Sequence, residues 1–281
     1  MYMITSSHVK NVLLGLTAAV FVGAPLFPEH NQNGPFLDSA VTFVTGRADT
    51  AIAYEAAAVP ALATELETAL RALSSAVRPL SHPRALEEAF HGYFAYKAAH
   101  PEDVKKPYLY FVDYGLPSTT PRGYVFDMEA DKIVEGPFMV AHGRGSSSSK
   151  SAVPTRFSNQ HGSLATSLGL YVAQETYGFS GKAAGRAYAS IGLRLNGVSG
   201  DYNDNARARK VVAHGAPYVT STKAGRSEGC PAMEPARAKR LLPKLANGGL
   251  VFLFAPREDW MATDPWLASG AKSVASSAMT D

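Results

Sequence analysis

Apolar positions along this chain follow two rhythms. Over residues 51–78, Leu62, Leu66, Leu70 and Leu73 recur at spacings of four, four and three, the stripe of an amphipathic helix. Pro60 divides this stretch, and its fixed φ suits the first turn of a second helix. Residues 83–99, "PRALEEAFHGYFAYKAA", repeat the helical period, with Leu86, Phe90, Phe94 and Ala98 on one face. His91 sits within that helix and reads as structural. After Pro107 the rhythm changes. "YLYFVDYG" (Tyr108–Gly115) is rich in aromatic and β-branched residues, which favour strands. Tyr124–Met128, Ile133–Ala141, Leu168–Tyr177, Ala187–Asn196, Lys210–Val219 and Gly249–Pro256 repeat that character. Gly/Ser-rich Gly143–Ser163 reads as a loop. "EPARAKRLLPKLANGG" reads as a short helix, with Pro235 in its first turn and glycines past its end.

Many short strands with one late helix predict a mainly β catalytic domain over residues 106–258. The helices before it form an accessory region, 29–105, entered through a lead-in that contains Gly34 and Pro35. Residues 259–281 are Ala/Ser-rich and are expected to form a flexible tail. Residues 1–28 read as a signal peptide or N-terminal anchor. Lys10 precedes an uncharged stretch from Asn11 to Pro28, short for a membrane span and broken by Pro25. Gly23 and Ala24 suit cleavage and Pro25 opposes it. Cleavage nearby, an uncleaved membrane anchor and a buried apolar helix all stay open. The expected location is exported, in the periplasm or cell envelope.

Composition narrows the picture. Hydrophobic residues make up 46% and charged residues 18%, which excludes a disordered chain. A net charge of +3 is too small to point to nucleic acid. Its distribution says more: residues 201–245 hold nine Lys/Arg against four acids. Such an excess attracts acidic ligands and is expected to lower the pKa of a nearby thiol. Part of it, Arg237 to Lys244, also reads as the solvated face of a helix.

Within that basic region stands Cys230, the only cysteine in 281 residues. It forms no internal disulfide, and an exposed thiol in an oxidising compartment is a hazard unless it is used. A cysteine nucleophile needs a lowered pKa, a base, an oxyanion hole and access. In "GRSEGCPAM", Gly229 permits close backbone approach and Pro231 constrains the chain after the thiol. A helix starting near Glu234 is expected to aim its positive end at the turn. The amides of Gly229 and Cys230 are candidate oxyanion donors. For the base, His214 ends an apolar strand, "KVVAHG", sixteen residues before Cys230. His142 ends a similar strand, "FMVAHG", so periodicity leaves both open. One cysteine and scattered histidines lack metal-ligand spacing.

The blocks "VVAHGAPYV" and "GRSEGCPAM", with "YFVDYGLPSTTPRGYVFDM", "VAHGRGSSS", "FSNQHGSLATSLGLY" and "IGLRLNG" upstream, resemble the YkuD-like L,D-transpeptidase catalytic domain. His214-Gly215 and Ser227-Glu228-Gly229-Cys230 stand where that family carries His-Gly and Ser-His-Gly-Cys. The resemblance implies a β-sandwich or barrel with a short helix after the cysteine. It implies Cys230 as nucleophile, assisted by His214, with Gly229 and Ser227 beside them and no cofactor. The implied substrate is the stem peptide of peptidoglycan. A thioester with its third residue forms, D-alanine leaves, and an amine completes a cross-link. Water as acceptor makes a carboxypeptidase or hydrolase, and a silent wall-binding domain is the alternative from another class. The chain departs from the family in two places: Glu228 replaces its His, and Pro231-Ala232 replace residues that help hold the stem. Arg226 or Arg209 is therefore expected to bind substrate carboxylates, Asn159 and His142 to line the cleft, and Ser227 to lie near the histidine's orienting network.

Overall fold

The structure, a computed structural model, describes residues 61–267. The N-terminal stretch read as signal or anchor, the lead-in and residues 268–281 lie outside the described residues. Among the described residues no helix is long and apolar enough to cross a membrane.

Residues 61–73 are helical and are called helix α1. Leu73 of the leucine stripe is buried, and Leu62, Leu66 and Leu70 pack half-buried against the core. Helix α2 spans Ala85–Ala99 and is apolar on more than one face; Leu86, Phe90, Tyr93, Phe94 and Tyr96 are all buried. Ala98, expected on the buried face, is exposed.

The strands are β1 (Tyr108–Asp113), β2 (Gly123–Asp127), β3 (Lys132–Phe138), β4 (His142–Gly143), β5 (Gly169–Ala183), β6 (Arg186–Gly197), β7 (Val212–Gly215), β8 (Arg226–Ser227), β9 (Ala232–Met233) and β10 (Leu250–Phe254). Eight of them build one sheet in the order β3-β2-β1-β10-β5-β6-β7-β9, and β4 pairs with β8 in a separate ribbon. The pairs β1/β10, β7/β9 and β4/β8 are parallel. Helix α3 (Pro235–Leu245) follows β9, so the mainly β domain with a short helix after the cysteine is what the chain forms.

Sequence pattern and layer position agree. Successive residues of a strand point to opposite faces. On β1, Phe111 stacks on Phe252 of β10, whose ring edge lies against Gly92 of α2. Tyr110 points the other way, stacking on Phe138, over which Arg237 of α3 lies at 4.7 Å. Helices thus cover both faces at the sheet's centre. That is why "YLYFVD" and "LVFLF" read as continuous apolar runs and not as alternating ones. Helix α2 belongs to the same core as β1 and β10.

On α3, Ala238, Leu241, Leu242 and Leu245 face inward. Arg237 and Arg240 reach Glu135 on β3 at 2.7 and 2.8 Å, so this part of the basic excess is a helix face paired with an acid on the sheet. The β5–β6 hairpin outgrows the sheet. Its inner residues Gly169–Tyr171 are buried, while the outer part, beyond Glu175, is largely half-exposed. Its tip is Ala184-Gly185, at φ 48° and 79°, between the last pair Ala183 and Arg186. Two successive positive φ values define the tight turn that suits the twist of a hairpin.

The expected flexible tail is corrected at its start. Helix α4 (Glu258–Met261) and the residues up to 267 are packed. Trp260 is 2% exposed and donates from its indole nitrogen to Asp264 at 2.8 Å; Leu267 is fully buried. His91 does prove structural, bonded through Nδ1 to the carbonyl of Trp266 at 3.0 Å. Composition misled because two tryptophans and one leucine carry the packing among small polar neighbours. We expect Trp260→Ala to destabilise the fold by about 3–5 kcal/mol, the usual cost of deleting a buried aromatic side chain. Urea denaturation checks this, and a loss within experimental scatter would restore the tail reading.

Candidate active site

The site forms where two parallel strand pairs, β7/β9 and β4/β8, meet. The pairing of β7 with β9 sets His214 opposite Ala232, two residues past Cys230. The ribbon sets His142 opposite Arg226 and Gly143 opposite Ser227. Between β8 and β9 the chain makes a turn, Ser227 to Cys230, held by its own hydroxyl. Ser227 Oγ donates to the Cys230 carbonyl at 2.7 Å and accepts from the Gly229 amide at 3.2 Å. Gly229 takes φ +122°, and a side chain there would lie 2.9 Å from the Ala165 carbonyl. Only glycine fits.

Cys230 is half-buried, with Sγ facing the Lys210 carbonyl at 3.9 Å. Burial pushes its thiol pKa up. The Val212 amide and the Arg209 guanidinium pull it down without reversing the sign, and Glu228 adds to the rise. The expected lowering is therefore overturned: much of the basic excess is spent elsewhere, on Glu135 and on Glu175, and desolvation dominates.

His214 is 2% exposed, and Phe179 of the hairpin stacks on its ring at 4.2 Å. Burial holds its pKa down to about 4, against the upward pull of its bond to Gly215. Nδ1 lies 3.1 Å from the Gly215 carbonyl. A carbonyl only accepts, so Nδ1 carries the proton and Nε2 keeps its lone pair. The imidazole is neutral and oriented by backbone.

A cleft of about 630 Å³ joins these residues. Its lining includes Cys230, His214, Ser227, Phe179, Tyr188 and Tyr218. Five cations line it too, Arg144, Lys182, Arg209, Lys210 and Arg226, against the single acid Glu228. The arrangement can bind an anionic ligand and present to it a thiol and a neutral base.

The expected site residues divide sharply. Cys230, His214, Ser227, Arg226 and Arg209 meet at the cleft, and Gly229 shapes the turn beneath it. Ser227 braces that turn, while the histidine's orienting partner is the Gly215 carbonyl. The Gly229 amide is already taken by Ser227, so of the two candidate oxyanion donors only the Cys230 amide has no partner among the described residues. The first turn of α3 lies behind Gly215, where an added side chain would meet Pro235 and Ala238. Arg209 spends its terminal nitrogens on the loop of residues 158–167: Nη1 on the Ser158 carbonyl and Ser167 Oγ, Nη2 on Ser163 Oγ and the Ala165 carbonyl. It clamps the loop that packs on Gly229, and its charge acts on the thiol from there. Arg226 uses one nitrogen, on the Ser147 carbonyl at 2.8 Å, and keeps the others for the cleft.

Two expectations are corrected. His142 is fully buried and outside the cleft lining. Its Nδ1 bonds Arg122 at 3.0 Å, and burial beside Arg122 and Arg226 holds its pKa down to about 3. It supports the ribbon from below, because β4 turns its side chain inward. Asn159 lies outside the cleft, donating to the Asp201 carbonyl at 3.0 Å and the Asp204 carboxylate at 2.6 Å. Phe179, Lys182 and Tyr188 enter the cleft only because the hairpin folds over it, which no local pattern announces. Arg144 had one signal, its place directly after "HG".

No curated protein matches this chain in sequence. Solved structures to which this chain shows partial similarity include an L,D-transpeptidase from Stackebrandtia nassauensis (16% identity, 62% of this chain and 68% of that one, TM-score 0.34). Others come from Mycobacterium smegmatis (13%, 53% and 59%, TM-score 0.30) and Mycobacterium tuberculosis (13%, 53% and 57%, TM-score 0.30). This chain covers between 57% and 68% of the length of those structures. The family model of the L,D-transpeptidase catalytic domain matches residues 79–254, from the approach to α2 through β10, and the chain belongs to that family.

Proposed function

We propose that this protein is an exported peptidoglycan L,D-transpeptidase that works through a Cys230 thioester. One observation carries the reading: a neutral imidazole with its lone pair on Nε2 shares a cationic cleft with the chain's only thiol. Stem peptides are rich in carboxylates, which the cleft's charge favours. Export rests on the apolar N-terminal stretch and on an unpaired cysteine put to use.

The resting pair is neutral. As the Cys230 sulfur attacks the carbonyl of the third stem residue, its proton passes to His214 Nε2. The oxyanion is stabilised by the Cys230 amide, the unpartnered donor of the turn. Collapse breaks the peptide bond, and His214 returns the proton to the departing D-alanine amine. An amine from a second stem then attacks the thioester, giving a cross-link and restoring the thiol. Keeping the base neutral until the substrate arrives also protects the thiol from oxidation, since the thiolate is the reactive form.

With muropeptides as substrate and mass spectrometry as readout, wild-type protein should yield cross-linked dimers, and Cys230→Ala none. D-alanine-trimmed monomers alone would mark a carboxypeptidase with water as acceptor. Identical behaviour of wild type and variant, with binding to sacculi in both, would mark a silent wall-binding domain.

The electrostatics also set a pH profile. Catalysis needs His214 unprotonated, and burial holds it so down to about pH 4. The acid limb of kcat/KM should therefore lie near 4 and not at the ordinary imidazole value of about 6.5. The alkaline limb should lie above the ordinary thiol range, because burial holds the Cys230 proton. An acid limb at the ordinary imidazole value would refute the buried, neutral base.

A further inference from the structure

The cleft poses an electrostatic problem. Five cations draw in an anionic donor stem, but the acceptor of a transfer reaction arrives as an ammonium, which those charges repel. Glu228 is the only acid in the lining. It stands two residues before the thiol, its side chain 72% exposed, and it reaches Arg144 at 3.2 Å. The juxtaposition is built in by backbone. β4 and β8 run parallel, and Arg144 and Glu228 are the next residues on each strand. The Arg144 amide donates to the Ser227 carbonyl at 2.8 Å, continuing the ribbon to the edge of the cysteine turn. An exposed pair like this contributes little to stability, so a ligand offering better partners displaces it at little cost.

Resting on the thioester reading above, we propose that the Arg144–Glu228 pair recognises the acceptor and selects an amine bearing a carboxylate on the same carbon. Such a zwitterionic centre matches the pair charge for charge. Its ammonium takes Glu228 and its carboxylate takes Arg144, replacing one protein ion pair with two to the ligand. The ammonium then loses one proton to water. The neutral amine attacks the thioester carbonyl, its second proton passes to His214 Nε2, the C–N bond forms and the C–S bond breaks. The proton on His214 returns to the departing sulfur, so the products are an amide and the free Cys230 thiol. Glu228 holds the amine beside the sulfur; an amine without the carboxylate leaves Arg144 competing for the same Glu228.

The test is the partition of one acyl-enzyme between amine and water. Full-length protein is incubated with a stem tetrapeptide donor and one of three acceptors, norleucine, norleucinamide or pentylamine, which differ only in the carboxylate. The ratio of amide to hydrolysed product is read by mass spectrometry, which makes it independent of how fast each variant acylates. Wild type should favour norleucine over norleucinamide and pentylamine by about tenfold, the scale of one charge-assisted contact. Arg144→Gln should erase that preference. Glu228→Gln should lower the ratio for all three amines by about tenfold. A wild type without preference, or variants that keep the wild-type ratios, overturns the assignment while the thioester mechanism stands. Intact-mass analysis showing no donor adduct on Cys230 overturns the thioester reading and this proposal with it.

Discussion

The site depends on one constraint, the parallel pairing of β7 with β9. Parallel strands cannot be joined by a tight turn. The chain leaves His214, loops through Tyr218 and Arg226, and comes back in the same direction. That return crosses the β4–β8 ribbon, which fixes Ser227 before the turn, and ends on Ala232 opposite His214. The imidazole sits on the β7 ladder, and the thiol closes a four-residue turn held between β8 and β9. The turn has little freedom, because Ser227 spans it twice and Gly229 is the one residue its geometry admits.

Burial sets the chemistry on this frame. The chain is basic around its cysteine, and charge alone argues for a thiolate at rest. Desolvation opposes the charged form of both partners, raising the thiol and lowering the imidazole, and it wins at each. Cations at the cleft mouth therefore favour an anionic ligand more than they ionise the thiol. Arg209 joins the two roles, since the guanidinium that acts on Cys230 also ties down the loop packed against Gly229.

Local pattern carried the elements well. The leucine stripe of α1, the aromatic run of β1 and the Pro235 start of α3 are one-dimensional signals, and each appears where its period places it. Resemblance, more than pattern, separated His214 from His142, two histidines that end near-identical apolar strands. Their roles diverge because β7 lies in the sheet beside the cysteine turn, while β4 turns His142 into the core onto Arg122. Residues 259–267 failed the other way: small polar composition suggested fraying, and Trp260, Trp266 and Leu267 pack nonetheless.

The sequence by itself determined the strand-rich class, the single thiol and the glycine that the turn requires. These follow from periodicity, residue chemistry and the φ range that only glycine adopts readily. Tertiary structure alone decided that the β5–β6 hairpin brings Phe179 onto His214, that Asn159 faces away, and that Arg144 meets Glu228 across 84 positions of chain. It also decided the sign of each pKa shift. Those outcomes depend on which surfaces exclude water and which distant segments share a ladder, and neither is written in any local stretch of residues.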